Sequence, residues 1–419
     1  MGFNASWSMA VGGMVGGGIF STLGVVIGIA GRWAWLSFLA AGLIALAAGY
    51  SYARLSAHYH QGGGAYLFLR KVGAPHSAAS LAWVLIIGYV LTNAVYAFTF
   101  GQYLAYVFGL GAWFARAAAM AIMAVFIGLN LRSVGQASGV EALLVWFKLT
   151  VLVVLAGYGL MQWDPPMLSR GVPDASLAAA VFGAAAVFMA YEGFQLLAYD
   201  YGDIVDPDRT LPRAVLWAIA VVIVVYVAIA LGTPMLIGAD SVVAHKEVAL
   251  SLAGQRAFGT PGLVVVTIAA AFSTGSAINS TLFATSRLAH DVTQQGDLPV
   301  ALDHRNSSGV PNRAVLALGM MAAAFAAIGT LSALVEAASL AFLCTFSIVS
   351  ALAYHARAGR RLITGFGALA SATAALVLVE RLWRTAPIAL AMFGLLVLVA
   401  CFGRPWLLRR VKTKTRASK

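Results

Sequence analysis

Twelve apolar segments run through this chain, and no other feature of the sequence restricts its fold as strongly. A helix needs about 20 predominantly apolar residues to cross the hydrocarbon core of a bilayer. Only 10% of the residues are charged, compared with about 25% in a typical soluble domain. We therefore predict an all-α, polytopic membrane protein with a single transmembrane domain over residues 1–403 and a basic tail over 404–419. The twelve predicted spans are residues 5–30, 33–56, 76–108, 112–131, 138–161, 175–201, 211–237, 262–289, 313–334, 336–357, 362–380 and 385–403.

The basic residues are distributed unevenly between the two sides of these spans. With the N-terminus placed in the cytoplasm, nineteen of the 27 Lys and Arg residues fall on the cytoplasmic side, seven on the outer side, and Lys148 on neither. This excess follows the positive-inside rule, so we expect cytoplasmic N- and C-termini. The compact loops indicate a prokaryotic source, and we therefore expect the protein in the inner membrane. We expect the basic tail to lie against anionic lipid head groups. The net charge of +12 therefore indicates membrane lipids rather than nucleic acid as the partner.

The first predicted span carries three consecutive glycines, Gly16, Gly17 and Gly18, in the middle of its apolar run. Glycine destabilises a helix interior by about 1 kcal/mol relative to alanine, so this is the weakest point of the span. Two interpretations are open. Small residues allow neighbouring helices to approach closely, whereas a broken helix exposes backbone groups that can bind a substrate or an ion.

The sixth predicted span is interrupted as well, by Glu192 and Gly193 near its middle. A carboxylate at the centre of a transmembrane helix costs roughly 2.5–3.5 kcal/mol, and such groups face the bundle interior or a cavity. The two interrupted spans are five apart in the chain, which reverses their orientation in the membrane. Matching interruptions of this kind are typical of an inverted-repeat transporter with its site at the membrane midplane.

Five stretches of the sequence resemble the amino acid–polyamine–organocation permeases. In chain order they are GGMVGGGIFSTLG, YARLSAHYHQGGGAYLFLRKVG, LNLRSVGQASGVEALLVWFKLTVL, YEGFQLLAYDYGDIVDPDRTLPRA and NSTLFATSRLAHDVTQQGDLP. The resemblance implies a leucine-transporter-type fold with broken helices 1 and 6. It implies inverted repeats of five spans each over about 5–161 and 175–357, with peripheral helices over 362–403.

The resemblance also implies a substrate site at the two breaks. In that family the substrate carboxylate meets backbone N–H groups of the first span, here Gly17 and Gly18, and its ammonium meets carbonyl oxygens of both spans, here that of Met14. The family commonly has a serine where this chain has Gly17, so one hydroxyl contact is missing. The implied substrate-binding residues are Met14, Gly16, Gly17, Gly18, Met189, Ala190, Tyr191, Glu192 and Gly193.

Two interpretations of Glu192 are open. As a protonated carboxyl it would cap the broken backbone between spans. As a charged or titrating group it would balance a cationic substrate or carry a proton. Gln195 occupies the position at which some relatives place a glutamate that senses pH, and its neutral amide cannot titrate.

Lys148 is the lone basic residue at membrane depth, and about ten residues of helix separate it from either end of the fifth span. Its side chain is too short to snorkel to the surface over that distance. In proton-coupled members of the resembled family, a lysine in a matching context occupies the place of a bound sodium ion. By this resemblance Lys148 would bind first-span carbonyls near Gly13 and Met14 and a hydroxyl of the eighth span, Ser276 or Ser273.

These observations predict a secondary active transporter for amino acids, working by proton symport. An amino acid exchanger, or a transporter of cationic amino acids or polyamines, is the alternative. A polytopic membrane enzyme would need clustered acids, bases or metal ligands at one depth, and Lys148, Glu192 and Asp200 are too few for that. We expect no cofactor and no metal site, with an amino acid or related amine, protons and membrane lipids as the partners.

Overall fold

The computed structural model of the chain describes residues 1–62, 64–132 and 138–403, apart from the side chains of 138–141 and 402–403. The predicted basic tail at 404–419 lies outside the described residues. The described part is helical and contains no strand. Its first eight α-helices are α1 (Phe3–Met14), α2 (Gly18–Ala30), α3 (Ala34–Tyr59), α4 (Gly64–Lys71), α5 (Pro75–Val107), α6 (Ala112–Leu131), α7 (Ser138–Met161) and α8 (Ala179–Ala186).

The second half begins with two 3₁₀ segments, Phe188–Tyr191 and Phe194–Asp203, and short 3₁₀ turns also occur at Gly31–Trp33, Pro165–Leu168 and Val300–Asp303. A π-helical turn, Val399–Gly403, ends the described chain. The remaining α-helices are α9 (Pro207–Ile237), α10 (Ala239–Ala244), α11 (Ala249–Gln294), α12 (Asn312–Ile328), α13 (Leu331–His355), α14 (Arg361–Thr385) and α15 (Pro387–Leu398).

Eight helical stretches of the described chain are long and apolar enough to cross a membrane, or nine if one bent pair counts as a span. Two further apolar helices, Asn312–Ile328 and Pro387–Cys401, are shorter. Each of the twelve predicted segments coincides with helical structure. The predicted all-α membrane fold is therefore confirmed, while the total of twelve spans and the five-plus-five repeat stay predictions.

The first span is broken where the three glycines lie. Helix α1 ends at Met14 and α2 begins at Gly18, with a turn at residues 15–17 that we call the first break. A Cβ atom on Gly16 would lie 2.4 Å from the Cβ of Ala277, and one on Gly17 would lie 2.2 Å from the ring of Tyr96. The glycines thus interrupt the helix and also let two other helices approach its backbone.

The sixth span is broken at Glu192 and Gly193, which we call the second break. The helical path is also bent by 54° just before this break, between Ala179–Ala186 and Phe188–Asp203. Glu192 is extended, and Gly193 has a φ of +124°, a conformation that side chains strongly disfavour. The local sequence therefore supplies the one residue type that tolerates the turn.

The two broken spans meet through their backbones in the centre of the bundle. A Cβ on Gly13 would lie 2.9 Å from the Cα of Gly193. Helix α1 also packs against α7, α9 and α11, and the 3₁₀ segment before the second break packs against α3 and α13. On the periphery, an ion pair between Arg381 and Glu336 at 3.3 Å joins α14 to α13.

Candidate functional site

All nine residues predicted to bind substrate are buried around the two breaks: Met14, Gly16, Gly17, Gly18, Met189, Ala190, Tyr191, Glu192 and Gly193. The structure brings the two sets together at two points. Gly13 meets Gly193, and a Cβ on Gly18 would lie 2.6 Å from the carbonyl oxygen of Ala190. The breaks therefore form one continuous region in which main-chain groups of both spans face each other.

The first break offers main-chain donors and acceptors at its two helix ends. Helix α2 begins at Gly18, and an exposed helix N-terminus carries about half a positive charge, which favours an anion. Among the hydrogen bonds of the described residues, none is donated by the N–H of Gly17. The N–H of Gly17 is one of the two groups that the resemblance assigns to a substrate carboxylate.

Tyr226 of α9 links the carbonyl oxygens of the two breaks, and the sequence analysis missed it. Its hydroxyl lies 2.8 Å from the oxygen of Met14 and 3.1 Å from that of Ala190. The oxygen of Met14 is the acceptor that the resemblance assigns to a substrate ammonium. The signal in the sequence was a single tyrosine in the aliphatic run AIAVVIVVYVAIALG, since a buried tyrosine hydroxyl usually finds a partner.

Glu192 is held by side chains rather than by the backbone at the break. The hydroxyl of Tyr96 lies 3.3 Å from one carboxylate oxygen, and the amide nitrogen of Gln195 lies 2.9 Å from the other. The oxygen of Gln195 accepts the N–H of Gly193 at 2.9 Å. Gln195 therefore caps the second break, the role that one interpretation gave to Glu192. The ion pairs in the described part of the chain include none for Glu192.

Ser339 of α13 satisfies the backbone just before the second break. Its hydroxyl donates to the oxygen of Ala186 at 2.7 Å and accepts the N–H of Met189 at 3.0 Å. One hydroxyl thus partners the last residue of α8 and a residue of the following 3₁₀ segment. Ser339 could not be identified from the sequence, because serines are common in transmembrane helices and the neighbouring residues give no sign of its role.

Lys148 of α7 lies in the interior, with only 1% of its surface exposed, so it does not snorkel. Its ammonium donates to the oxygen of Gly12 at 3.1 Å, close to the predicted acceptors Gly13 and Met14. Ser273 of α11 donates to the oxygen of Val15. The hydroxyl of Ser276 donates to the oxygen of Ser273 within the same helix, at 3.4 Å.

The end of α1 at the first break is therefore held by two helices. Lys148 of α7 and Ser273 of α11 donate hydrogen bonds to carbonyl oxygens at or near the end of α1. Carbonyl oxygens at the end of a helix lack partners within the helix. These are the three spans that the sequence analysis expected Lys148 to connect. In the described residues, no group of three or more His, Cys, Asp or Glu side chains is placed to hold a metal ion.

The comparisons with known proteins agree with this architecture. A sequence profile of the family described as amino acid permease matches residues 1–412, nearly the whole chain. The chain belongs to this family. The resemblance to the amino acid–polyamine–organocation permeases is thereby confirmed, and the permease is an integral membrane amino acid transporter.

Three relatives show how widely the similarity extends. The permease is 31% identical over 370 residues to the inner membrane transport protein YbaT of Escherichia coli, covering 84% of this chain and 82% of the relative. It is 25% identical over 301 residues to the serine/threonine exchanger SteT of Bacillus subtilis, covering 70% and 68%. It is 26% identical over 368 residues to the chloroplastic cationic amino acid transporter 7 of Arabidopsis thaliana, covering 82% and 62%.

Proposed function

We propose that the permease carries a zwitterionic amino acid across the membrane by proton symport, with substrate and proton both acting on the first break. The observation that carries this proposal is the buried ammonium of Lys148, bound at 3.1 Å to the oxygen of Gly12 beside the break. A titratable amine in that position can respond to a proton and change the helix that binds the substrate.

The substrate would bind between the two breaks. Its carboxylate would accept hydrogen bonds from the N–H of Gly17 and Gly18 at the start of α2. Its ammonium would donate to the oxygens of Met14 and Ala190. A carbonyl oxygen has two lone pairs, so the contacts of Tyr226 leave an acceptor position on each. The side chain of the substrate would lie against the remaining residues of the predicted set, among them Met189 and Tyr191.

Protonation of Lys148 would stabilise one arrangement of three helices. The charged amine donates strongly to the oxygen of Gly12 and, together with Ser273, holds α1 against α7 and α11. Loss of the proton weakens that hydrogen bond and releases the end of α1. Proton and substrate then bias the same two-state element, which is what coupling requires.

The proposal includes the orientation and the mechanism of access. The distribution of basic residues supports cytoplasmic termini, and the name of the relative YbaT supports placement in the inner membrane. The two repeats of five spans would rock about the breaks, opening the site to each side in turn.

The test is transport by purified protein in liposomes. A panel of neutral, cationic and acidic amino acids is offered outside, with an imposed proton gradient, acidic outside. We expect at least one neutral amino acid to accumulate above its equilibrium level, and a protonophore to abolish the accumulation. Exchange alone, unaffected by the gradient, would contradict proton symport.

A second function, transport of cationic amino acids or amines, is favoured by Glu192. This carboxyl is buried beside the site and has no basic partner in the described ion pairs. If it balances a positive substrate, Glu192→Gln should reduce the uptake of arginine and putrescine relative to that of alanine by tenfold or more. Unchanged relative rates for the three compounds would exclude this role.

A further inference from the structure

A cavity of about 520 Å³ opens at one end of the helix bundle, far from the two breaks. Ten residues of α9 separate Leu236, which lines the cavity, from Tyr226, a distance of roughly 15 Å along the helix. The cavity lies between the loop after α7, the end of α9, α10 and the start of α11. Its main lining residues are Arg170, Leu236, Ser241, Leu252, Gln255 and Arg256.

The lining combines an apolar floor with a cationic rim. Leu236 is buried and Leu252 partly buried, whereas Arg170 and Arg256 are exposed. Arg170 lies 3.5 Å from the carboxylate of Asp240. The ion pairs of the described residues include none for Arg256. One carboxylate therefore offsets two guanidinium groups, and the rim is positively charged.

The loop that carries Arg170 is fixed by its backbone. The N–H of Asp240 donates to the oxygen of Arg170 at 2.9 Å. Gly171 and Gly238 have φ angles of +65° and +80°, and a Cβ on either would lie 2.7 Å or less from an atom of Asp240. Glycine is needed at these positions for the conformation and for the close approach. The backbone at Arg170 is thus fixed before any ligand binds.

Aromatic residues place this cavity at the membrane surface. The close contact of Gly159 with Gly232 shows that α7 and α9 end on the same side of the bundle. Just beyond α7, Trp163 is 52% exposed. The ring of Tyr158 contacts that of Phe258 of α11 in a tilted arrangement, with 4.9 Å between the ring centroids. Exposed tryptophan and tyrosine are typical of the interface where lipid head groups lie.

We propose that the cavity binds an anionic phospholipid, with its phosphate between Arg170 and Arg256 and its acyl chain against the apolar floor. Arginine binds phosphate through paired, charge-assisted hydrogen bonds, and Ser241 and Gln255 add neutral donors at the same rim. A free anion would leave the apolar floor without a partner. A zwitterionic lipid would bring a second positive charge to a rim that already has an excess.

The experiment measures thermal stability of the detergent-purified protein against increasing short-chain phosphatidylglycerol, short-chain phosphatidylcholine or inorganic phosphate. The test variant is the double substitution Arg170→Gln and Arg256→Gln. The matched control is Arg116→Gln, an exposed arginine of α6 that does not line the cavity. The single variant Arg256→Gln is measured as well, since it leaves the Arg170 and Asp240 pair intact and should fold even if the double variant does not.

We expect phosphatidylglycerol to stabilise the wild type more than phosphatidylcholine does. The double variant should bind phosphatidylglycerol about tenfold more weakly or worse, Arg256→Gln should show part of that loss, and Arg116→Gln should match the wild type. Equal binding by the wild type and both cavity variants would overturn the proposal. Equal stabilisation by inorganic phosphate would also overturn it, because the ligand would then be a soluble anion.

Discussion

The two breaks are built in different ways. At the first break, the partners come from other helices: Lys148 of α7, Ser273 of α11 and Tyr226 of α9 all bind carbonyl oxygens of α1 or of the turn that follows it. At the second break, Gln195 caps Gly193 only two residues away, and Glu192 bonds to the same amide. The carbonyl oxygens at the first break are therefore bound by other helices, whereas the N–H of Gly193 at the second break is capped from within its own segment. Tyr96, Tyr226 and Ser339 add contacts from other helices around the second break.

This difference suggests a division of roles. A break held by neighbouring helices changes when those helices move or when a side chain such as Lys148 changes its charge. A break capped by its own segment keeps its shape while its neighbours move. We therefore assign coupling to the first break and a constant binding surface to the second, and the following variants test that division.

The largest effect is expected at Gly193, where the second break depends on one conformation. Gly193→Ala places a Cβ 2.4 Å from the carbonyl carbon of Gly13 and forces a side chain into a φ of +124°. Strain of this kind costs about 1–3 kcal/mol before the clash is counted. We expect a large loss of folded protein and no transport, measured by size-exclusion chromatography, thermal unfolding and uptake.

Gly128→Ala in α6 is the matched control, since a Cβ there would meet no atom within 4 Å. It should leave stability unchanged or raise it slightly, because alanine favours the helix. If Gly193→Ala were as stable and active as this control, the second break would not depend on the conformation of Gly193, and its assignment as a constant binding surface would be wrong.

A smaller effect is expected from Tyr226→Phe, which removes the hydroxyl shared by the two breaks. The oxygens of Met14 and Ala190 would lose a buried partner, at a cost of about 1–3 kcal/mol, and would no longer be held at a fixed spacing. We expect substrate to bind about tenfold more weakly, measured by calorimetry or by competition for uptake.

Tyr103→Phe is the control for that variant. The buried hydroxyl of Tyr103 also donates to a backbone oxygen, that of Phe20 at 3.3 Å, but Tyr103 is not among the residues predicted to bind substrate, so its loss should change substrate affinity much less. Equal losses in the two variants would mean that Tyr226 acts only through general packing.

The smallest effect is expected from Ser339→Ala, which should lower stability while leaving proton coupling intact. Two buried backbone groups, at Ala186 and Met189, would lose their partner. The melting temperature should fall by a few degrees. Ser350→Ala on the same helix is the control, because the hydroxyl of Ser350 is buried without a hydrogen-bond partner among the described residues and should be nearly neutral. Loss of proton-driven uptake in Ser339→Ala would contradict the division of roles.

Much of the site could be predicted from the sequence, because its signals are local. Consecutive glycines within an apolar run predicted the first break, and a carboxylate within another predicted the second. A lone lysine at membrane depth predicted the side chain that binds α1. The structure places the Lys148 contact on Gly12, next to the expected pair Gly13 and Met14. Successive carbonyls lie about 100° apart around the helix axis, so the rotation of α1 decides which of them the amine reaches.

The remaining site residues could not be predicted, because their roles depend on contacts between spans distant in the chain. Tyr226 and Ser339 lie 36 and 150 residues or more from the groups they bind. A hydroxyl in a transmembrane helix can bond to its own backbone, as Thr285 does with Thr281. Only the packing of α9 and α13 against the broken spans shows that these hydroxyls bind a distant span rather than their own helix.

The most direct test of the account is Lys148→Met in liposomes, measured for gradient-driven accumulation and for exchange in the absence of a gradient. Lys71→Met, the same change at an exposed lysine, is the control. We expect that Lys148→Met no longer accumulates amino acid on an imposed proton gradient and that any exchange that remains is independent of pH. Lys71→Met should behave as the wild type. Accumulation by Lys148→Met equal to that of the wild type would contradict the central claim.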